Sequence, residues 1–219
     1  LLKLVIDFRR VMSNPELPIL KIKTQPKSLL EKYQDMIKSL KSFAMLASYR
    51  LHPTKFDRIF LEHWDGLIHE AESALELIRS SGYLNMAGTQ DSFRPIINDF
   101  SRHNLRALPN GQAVCISLKE TVLDIPLMDL ASLMVKTGRA NRWGHDWYNR
   151  IIKAYSESFP LTDEELEIIR AYIAFPWELY RLAARYYHNR VNWPVSVFVE
   201  KMGRILERNK EREKLLSII

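Results

Sequence analysis

Asp99 and Asn104 stand five residues apart in a polar stretch, 97–105, that reads Ile-Asn-Asp-Phe-Ser-Arg-His-Asn-Leu. A carboxylate and an amide at that spacing suit phosphoryl transfer to a hydroxyl. The aspartate accepts the proton of the attacking hydroxyl, and the asparagine holds a metal ion on the phosphates. Alone, the Asp-x-x-x-x-Asn pattern recurs by chance in many chains, and both residues also read as loop hydrogen-bonding groups. Asp124 and Asp129 follow and read as structural. Asp129 lies near the start of a helix after Pro126, where a carboxylate caps N–H groups and opposes the helix dipole. Other chemistries fit poorly. His63 and His69 are six residues apart, which is neither the i,i+4 spacing nor the H-E-x-x-H order of a zinc helix. The lone cysteine, Cys115, reads as an inert thiol in a β-prone run, and its pairing with His103 or His145 has no local motif behind it. There is no G-x-S-x-G, and no glycine pair has a phosphate-loop spacing.

With 219 residues, 47% hydrophobic and 26% charged, the chain has the balance of an ordinary globular protein of one sizeable domain. One cysteine excludes an intrachain disulfide framework, no apolar run approaches the ~20 residues of a membrane span, and no signal peptide is recognisable. The chain starts at Leu1 in what already reads as a helix, so a piece of a longer protein is expected. Its net charge of +6 divides into +7 over residues 1–60, −5 over 61–135 and +4 over 136–219. Aromatic residues are not interleaved with the basic ones as stacking platforms, which argues against nucleic acid.

These residues need elements to hold them. Apolar spacing predicts helices over 1–12, 28–50 and 54–81, the last stopping at Gly82 as a C′ residue. Residues 13–25, with two prolines, read as a loop. Pro109-Asn110-Gly111 between apolar runs predicts a hairpin over 105–118. Helices then resume over 127–137, 143–158, 162–175, 176–189 and 194–218. Thr162 and Glu165 form a capping box, and Pro176 and Pro194 suit first turns. The expected fold class is mostly α with a small β-hairpin.

The order of segments carries more than any one of them. The 97–105 stretch, a hairpin, Val-Cys-Ile-Ser-Leu-Lys at 114–119 and Asp-Ile-Pro-Leu-Met-Asp-Leu-Ala at 124–131 together resemble the C-terminal lobe of aminoglycoside/choline-kinase-like phosphotransferases. Within that superfamily the chain is most similar to the CotS family of bacterial spore coat proteins. That likeness continues in Tyr155 to Glu165, Phe175 to Tyr180, Tyr186 to Asn189 and Trp193. It is also carried by Phe56-Asp57, Ala74 to Leu77 and Ser81 to Tyr83. The resemblance implies a kinase-like C-lobe over 1–219, with the N-lobe, its phosphate-covering loop and its strand lysine lying upstream of Leu1.

Departures from the family pattern shape the functional expectation. Where the family's catalytic loop begins His-Gly-Asp, this chain has Ile97, Asn98 and Asp99, so only the aspartate, a degenerate catalytic base, is kept. Asn104 stands at one of the family's Mg²⁺-ligand positions, and Ser117 stands where the other ligand, an aspartate, belongs. A neutral hydroxyl cannot supply the charge a carboxylate gives to Mg²⁺ on phosphate oxygens. Lys119 nearby would repel a metal, and it pairs with Glu120 or with solvent. The implied protein is a pseudokinase with no cofactor, a coat component made in the mother-cell cytoplasm, deposited on the spore and partnered by other coat proteins. The alternative is an active phosphotransferase using ATP and Mg²⁺ on a small-molecule hydroxyl, with the aspartate supplied by a different alignment or by another residue such as Glu120. Arg139, Arg142, Trp143 and Arg150 form a candidate basic-aromatic face for docking partners, since Trp and Arg anchor interfaces.

Overall fold

Three helices begin with reciprocal caps. Ser28, Thr54 and Thr162 each accept the backbone N–H of the residue three positions on, and Glu31, Asp57 and Glu165 bond back to the cap's own N–H. Each cap satisfies two N–H groups that a helix start otherwise leaves open. The computed structural model describes residues 1–14, 27–88, 92–100, 104–110 and 113–219. Within them lie α1 (Leu2–Met12), α2 (Leu29–Ser48), α3 (Lys55–Glu62), α4 (Trp64–Ser80) and the short α5 (Tyr83–Ala87). Four three-residue strands follow: β1 (Arg94–Ile96), β2 (Leu105–Ala107), β3 (Ala113–Cys115) and β4 (Val122–Asp124). The chain closes with α6 (Leu127–Ala140), α7 (His145–Ser156), α8 (Asp163–Ala174), α9 (Trp177–Tyr187) and α10 (Val195–Leu216). The mostly helical fold class holds. Most of the 13–25 loop and the Gly111 end of the hairpin turn lie outside the described residues.

The core is built where α8 packs on α4 and α6, and α2 on α4 and α9. Of the apolar stripe expected on α2, Leu29, Tyr33, Ile37, Leu40 and Ala47 are buried, and Leu30 and Ala44 at its margins are half-buried. Polar tips inside the core find partners. The Tyr33 hydroxyl donates to the Ala171 carbonyl at 3.2 Å while its ring stacks on Phe175, centroids 4.3 Å apart. The Tyr83 phenol accepts the first N–H of α2, from Leu29, at 2.6 Å, and burial pushes its pKa up to about 12. On the opposite side, α10 packs on α3, α8 and α9.

Four expectations are corrected. The helix expected over 54–81 breaks at His63, which ends α3 and opens α4. Gly82 is not a left-handed C′ residue: its φ is −66° and it opens α5, leaving room for the Glu164 side chain. The helix expected to end at 137 runs to Ala140 through Gly138. Trp143 lies outside α7, buried, with its ring over Gly138, where an added Cβ would come within 2.5 Å of indole carbons. Beside the expected hairpin, β2 with β3, a second antiparallel pair joins β1 to β4 with Ile96 opposite Val122.

Candidate functional site

Both strand pairs frame one loop. β1 leads into Ile97, Asn98 and Asp99, and the β2–β3 register sets Leu105 opposite Cys115. One residue further out, the Ile116 N–H donates to the Asn104 carbonyl at 2.9 Å. Asn104 and the 116–117 backbone are thereby adjacent. The Asn104 amide is buried and donates to the Asp99 carbonyl at 3.1 Å, closing the loop between the two sequence-identified residues. Ser117 is half-buried. Its hydroxyl accepts the Lys119 N–H at 3.2 Å, and its carbonyl faces the Cys115 thiol at 2.9 Å. Asp99, Asn104 and Ser117 thus lie on adjacent stretches of backbone. His103 lies outside the described residues. Lys119 and Glu120 are both exposed and form no ion pair with each other, and the Glu120 carbonyl accepts the Asn98 amide at 3.1 Å.

Asn98 has φ 60°, a left-handed conformation that asparagine tolerates better than most side chains. It sits where the resembled pattern has glycine, the residue that adopts this conformation at least steric cost. The Asp99 N–H reaches back over it to the Ile97 carbonyl at 2.6 Å. Replacing Asn98 by Ala would keep the positive φ, remove the bond to Glu120 and cost about 2 kcal/mol. Denaturant titration of Asn98→Ala checks this, and an unchanged midpoint would contradict it.

Asp129 is the anchor of the loop. It is buried on α6, and its two carboxylate oxygens accept the N–H groups of Ile97 at 2.6 Å and Asn98 at 2.9 Å. It does not cap its own helix, as the local reading held; its partners lie 31 and 32 residues upstream. Burial pushes its carboxyl up to about 7, against the pull of the two amides and with the charge of Asp124 adding to the rise. Asp124 is also buried, accepts the Ile125 N–H at 2.8 Å and is raised by that burial.

A cavity of about 260 Å³ opens beside the loop, lined by Asn98, Asp99 and Phe100 and, across from them, Lys136, Arg139 and Arg181. A smaller one of about 150 Å³ shares Asn98 and brings Lys32 and Asp124 to a common wall. Burial lowers the Lys32 ammonium despite the nearby Asp124 carboxylate. Lys32 and Arg181 were not singled out from sequence. Arg181 shares a helix face with Arg185 at i,i+4, a signal that was legible. Lys32 meets Asp124 only through the fold. Among the described residues no three of His, Cys, Asp and Glu gather to hold a metal ion. The proposed docking face does not assemble: Trp143 is buried under α6 and Arg139 is paired with Glu178 at 2.9 Å, leaving Arg142 and Arg150 exposed without their aromatic anchor.

The arrangement of helices around this loop, clamped by a buried carboxylate between two strand pairs, is that of a kinase-like fold. An aminoglycoside phosphotransferase from Alicyclobacillus acidocaldarius matches it with a TM-score of 0.78, at 17% identity over 87% of this chain and 57% of that one. Spore coat protein S of Bacillus subtilis is 25% identical over 134 residues, which is 60% of this chain and 38% of that protein. The chain therefore spans less than two thirds of either relative's length. No family model matches the chain. Its fold is kinase-like, and over 60% of the chain its sequence is similar to that of a spore coat protein.

Proposed function

We propose that this chain is a spore coat-associated structural or assembly protein built on a phosphotransferase-like fold that has lost phosphoryl transfer. The observation that carries the reading is Ser117. Its neutral hydroxyl stands next to the Asn104 loop, where metal-assisted transfer needs a carboxylate to offset the charge of phosphate oxygens. The exposed Lys119 adds a positive charge two residues away. Asp99 then serves the loop's structure rather than proton transfer, and no ATP or Mg²⁺ is needed. The likeness to spore coat protein S supports the cellular role: synthesis in the mother-cell cytoplasm, deposition on the spore and partnership with other coat proteins. No helix among the described residues is long and apolar enough to cross a membrane.

Fractionation of purified spores tests this role, with the natural protein detected by antibody. It is expected in the coat extract and depleted from the core. Recovery only from the vegetative or core fraction would overturn the reading. A second reading, an active ATP- and Mg²⁺-dependent transferase acting on a hydroxyl, is favoured by the cavity beside Asp99 and the retained Asn104 contact.

A further inference from the structure

A groove of about 400 Å³ between the end of α6, α9 and α10 is lined by Arg139, Arg181, Arg185, Lys201, Arg204 and Arg208. Its floor is apolar, with Leu182 and Ile205 both buried. One carboxylate, Glu178, enters the lining, and a single oxygen of it bridges Arg139 at 2.9 Å and Arg208 at 3.0 Å. That bridge fixes two guanidinium groups and leaves the rest of the charge in place. Arg204 pairs with Glu200 one turn away on the exposed side of α10. Among the described residues Arg181, Arg185 and Lys201 enter no ion pair; Arg185 and Lys201 instead flank the Trp193 ring, 5.8 and 4.8 Å from its centroid.

Folding does not call for this arrangement. Arg181 with Arg185, and Arg204 with Arg208, are like charges at i,i+4, a spacing that disfavours each helix. A concave site of this volume suits a small molecule, and guanidinium forks match phosphate and carboxylate oxygens. Arg139 and Arg181 also line the cavity beside Asp99, so the basic groove continues into the candidate site.

We propose that this groove binds a small multivalent anion bearing phosphate or carboxylate groups, held by Arg181 and Arg185 of α9 against Lys201 and Arg204 of α10. The inference stands on charge and shape and does not depend on the coat role.

Calorimetric titration of the intact protein with sodium tripolyphosphate, and separately with citrate, tests it at low and at near-physiological salt. Saturable one-to-one binding of at least one anion is expected, weakening as salt screens the charges. The arm that binds more tightly distinguishes phosphate from carboxylate recognition. Arg181→Ala with Arg185→Ala is expected to lower affinity by tenfold or more, and Lys201→Ala with Arg204→Ala should do the same from the other wall. Arg150→Ala, an exposed cation outside the groove, should change it less than twofold. Circular dichroism of each variant confirms that it is folded. Absence of binding by both anions, an equal loss in the Arg150→Ala control, or binding of a polyglutamate peptide without either small anion would overturn the proposal.

Discussion

Asp129→Ala is expected to lower stability by about 3 kcal/mol, because it strands one backbone donor in the interior and a second that is part-buried. The N–H groups of Ile97 and Asn98 have the Asp129 carboxylate as partner, and Asp129 and Ile97 are both buried. Leaving a buried donor unsatisfied costs about 1–3 kcal/mol each, offset in part by removing a carboxylate that is itself costly to bury. The pH dependence identifies the group. Its folded pKa of about 7 lies above the ordinary 3.8, so between those values the folded state holds a proton that the unfolded chain has released. The stabilisation from this proton is fully present below pH 3.8 and is lost as pH rises through about 7. The buried carboxyl of Asp124 and the half-buried one of Glu70, both raised by burial, act in the same direction. Urea titrations at pH 5 and pH 8 should find the protein less stable at pH 8. Asp129→Asn, unable to ionise, should flatten most of that difference. Greater stability at pH 8 than at pH 5 would contradict the assignment.

Asp57→Ala is expected to cost about 3–5 kcal/mol, the range for removing one partner of a buried charged pair. Asp57 is fully buried at the start of α3. One oxygen accepts from the Arg50 guanidinium and from the Thr54 N–H and hydroxyl, each at 2.8 Å, and the other from the Tyr187 hydroxyl at 3.1 Å. The substitution removes a capping box and, among the described residues, leaves Arg50 to Tyr186, whose hydroxyl it reaches at 2.9 Å. It also frees Tyr187, whose ring stacks on Phe43 with centroids 5.0 Å apart, and so loosens α9 from α2 and α3. Thermal melts of Asp57→Ala beside Thr54→Ala separate the contributions. The cap alone should cost about 1 kcal/mol. Equal losses in the two variants would mean that the Arg50 and Tyr187 bonds contribute nothing.

Local patterns in the sequence foretold what local physics decides. The α2 stripe and the Thr162–Glu165 box each act within a few residues, and each forms where its pattern lies. Other features depend on contacts across the chain. The β1–β4 pair is three residues long and includes Pro95, so no alternation announces it. The break at His63 carries neither proline nor glycine. Trp143 and Trp147 stand at i,i+4, yet Trp143 precedes its helix at φ 51° and turns inward, so spacing alone misplaced it. Asp129 looked like a helix cap because its true partners are remote. Within the candidate site, the Asp99–Asn104 spacing drew attention to the loop, and Ser117 was singled out only through the family resemblance. The basic wall opposite Asp99 was legible only in part, since it joins cations from α6, α9 and α10.

Loss of phosphate transfer in this phosphotransferase-like fold, proposed on Ser117, is tested by nucleotide binding. Thermal shift of the intact natural protein with ATP, with and without Mg²⁺, is the direct measurement, made beside Ser117→Asp. A functional site would add about 2.7 kcal/mol at a hundredfold excess of nucleotide over its dissociation constant. No Mg²⁺-dependent shift is expected for the natural protein, whether or not Ser117→Asp gains one. A clear Mg²⁺-dependent shift in the natural protein would contradict the claim and make the hydroxyl substrate the next question.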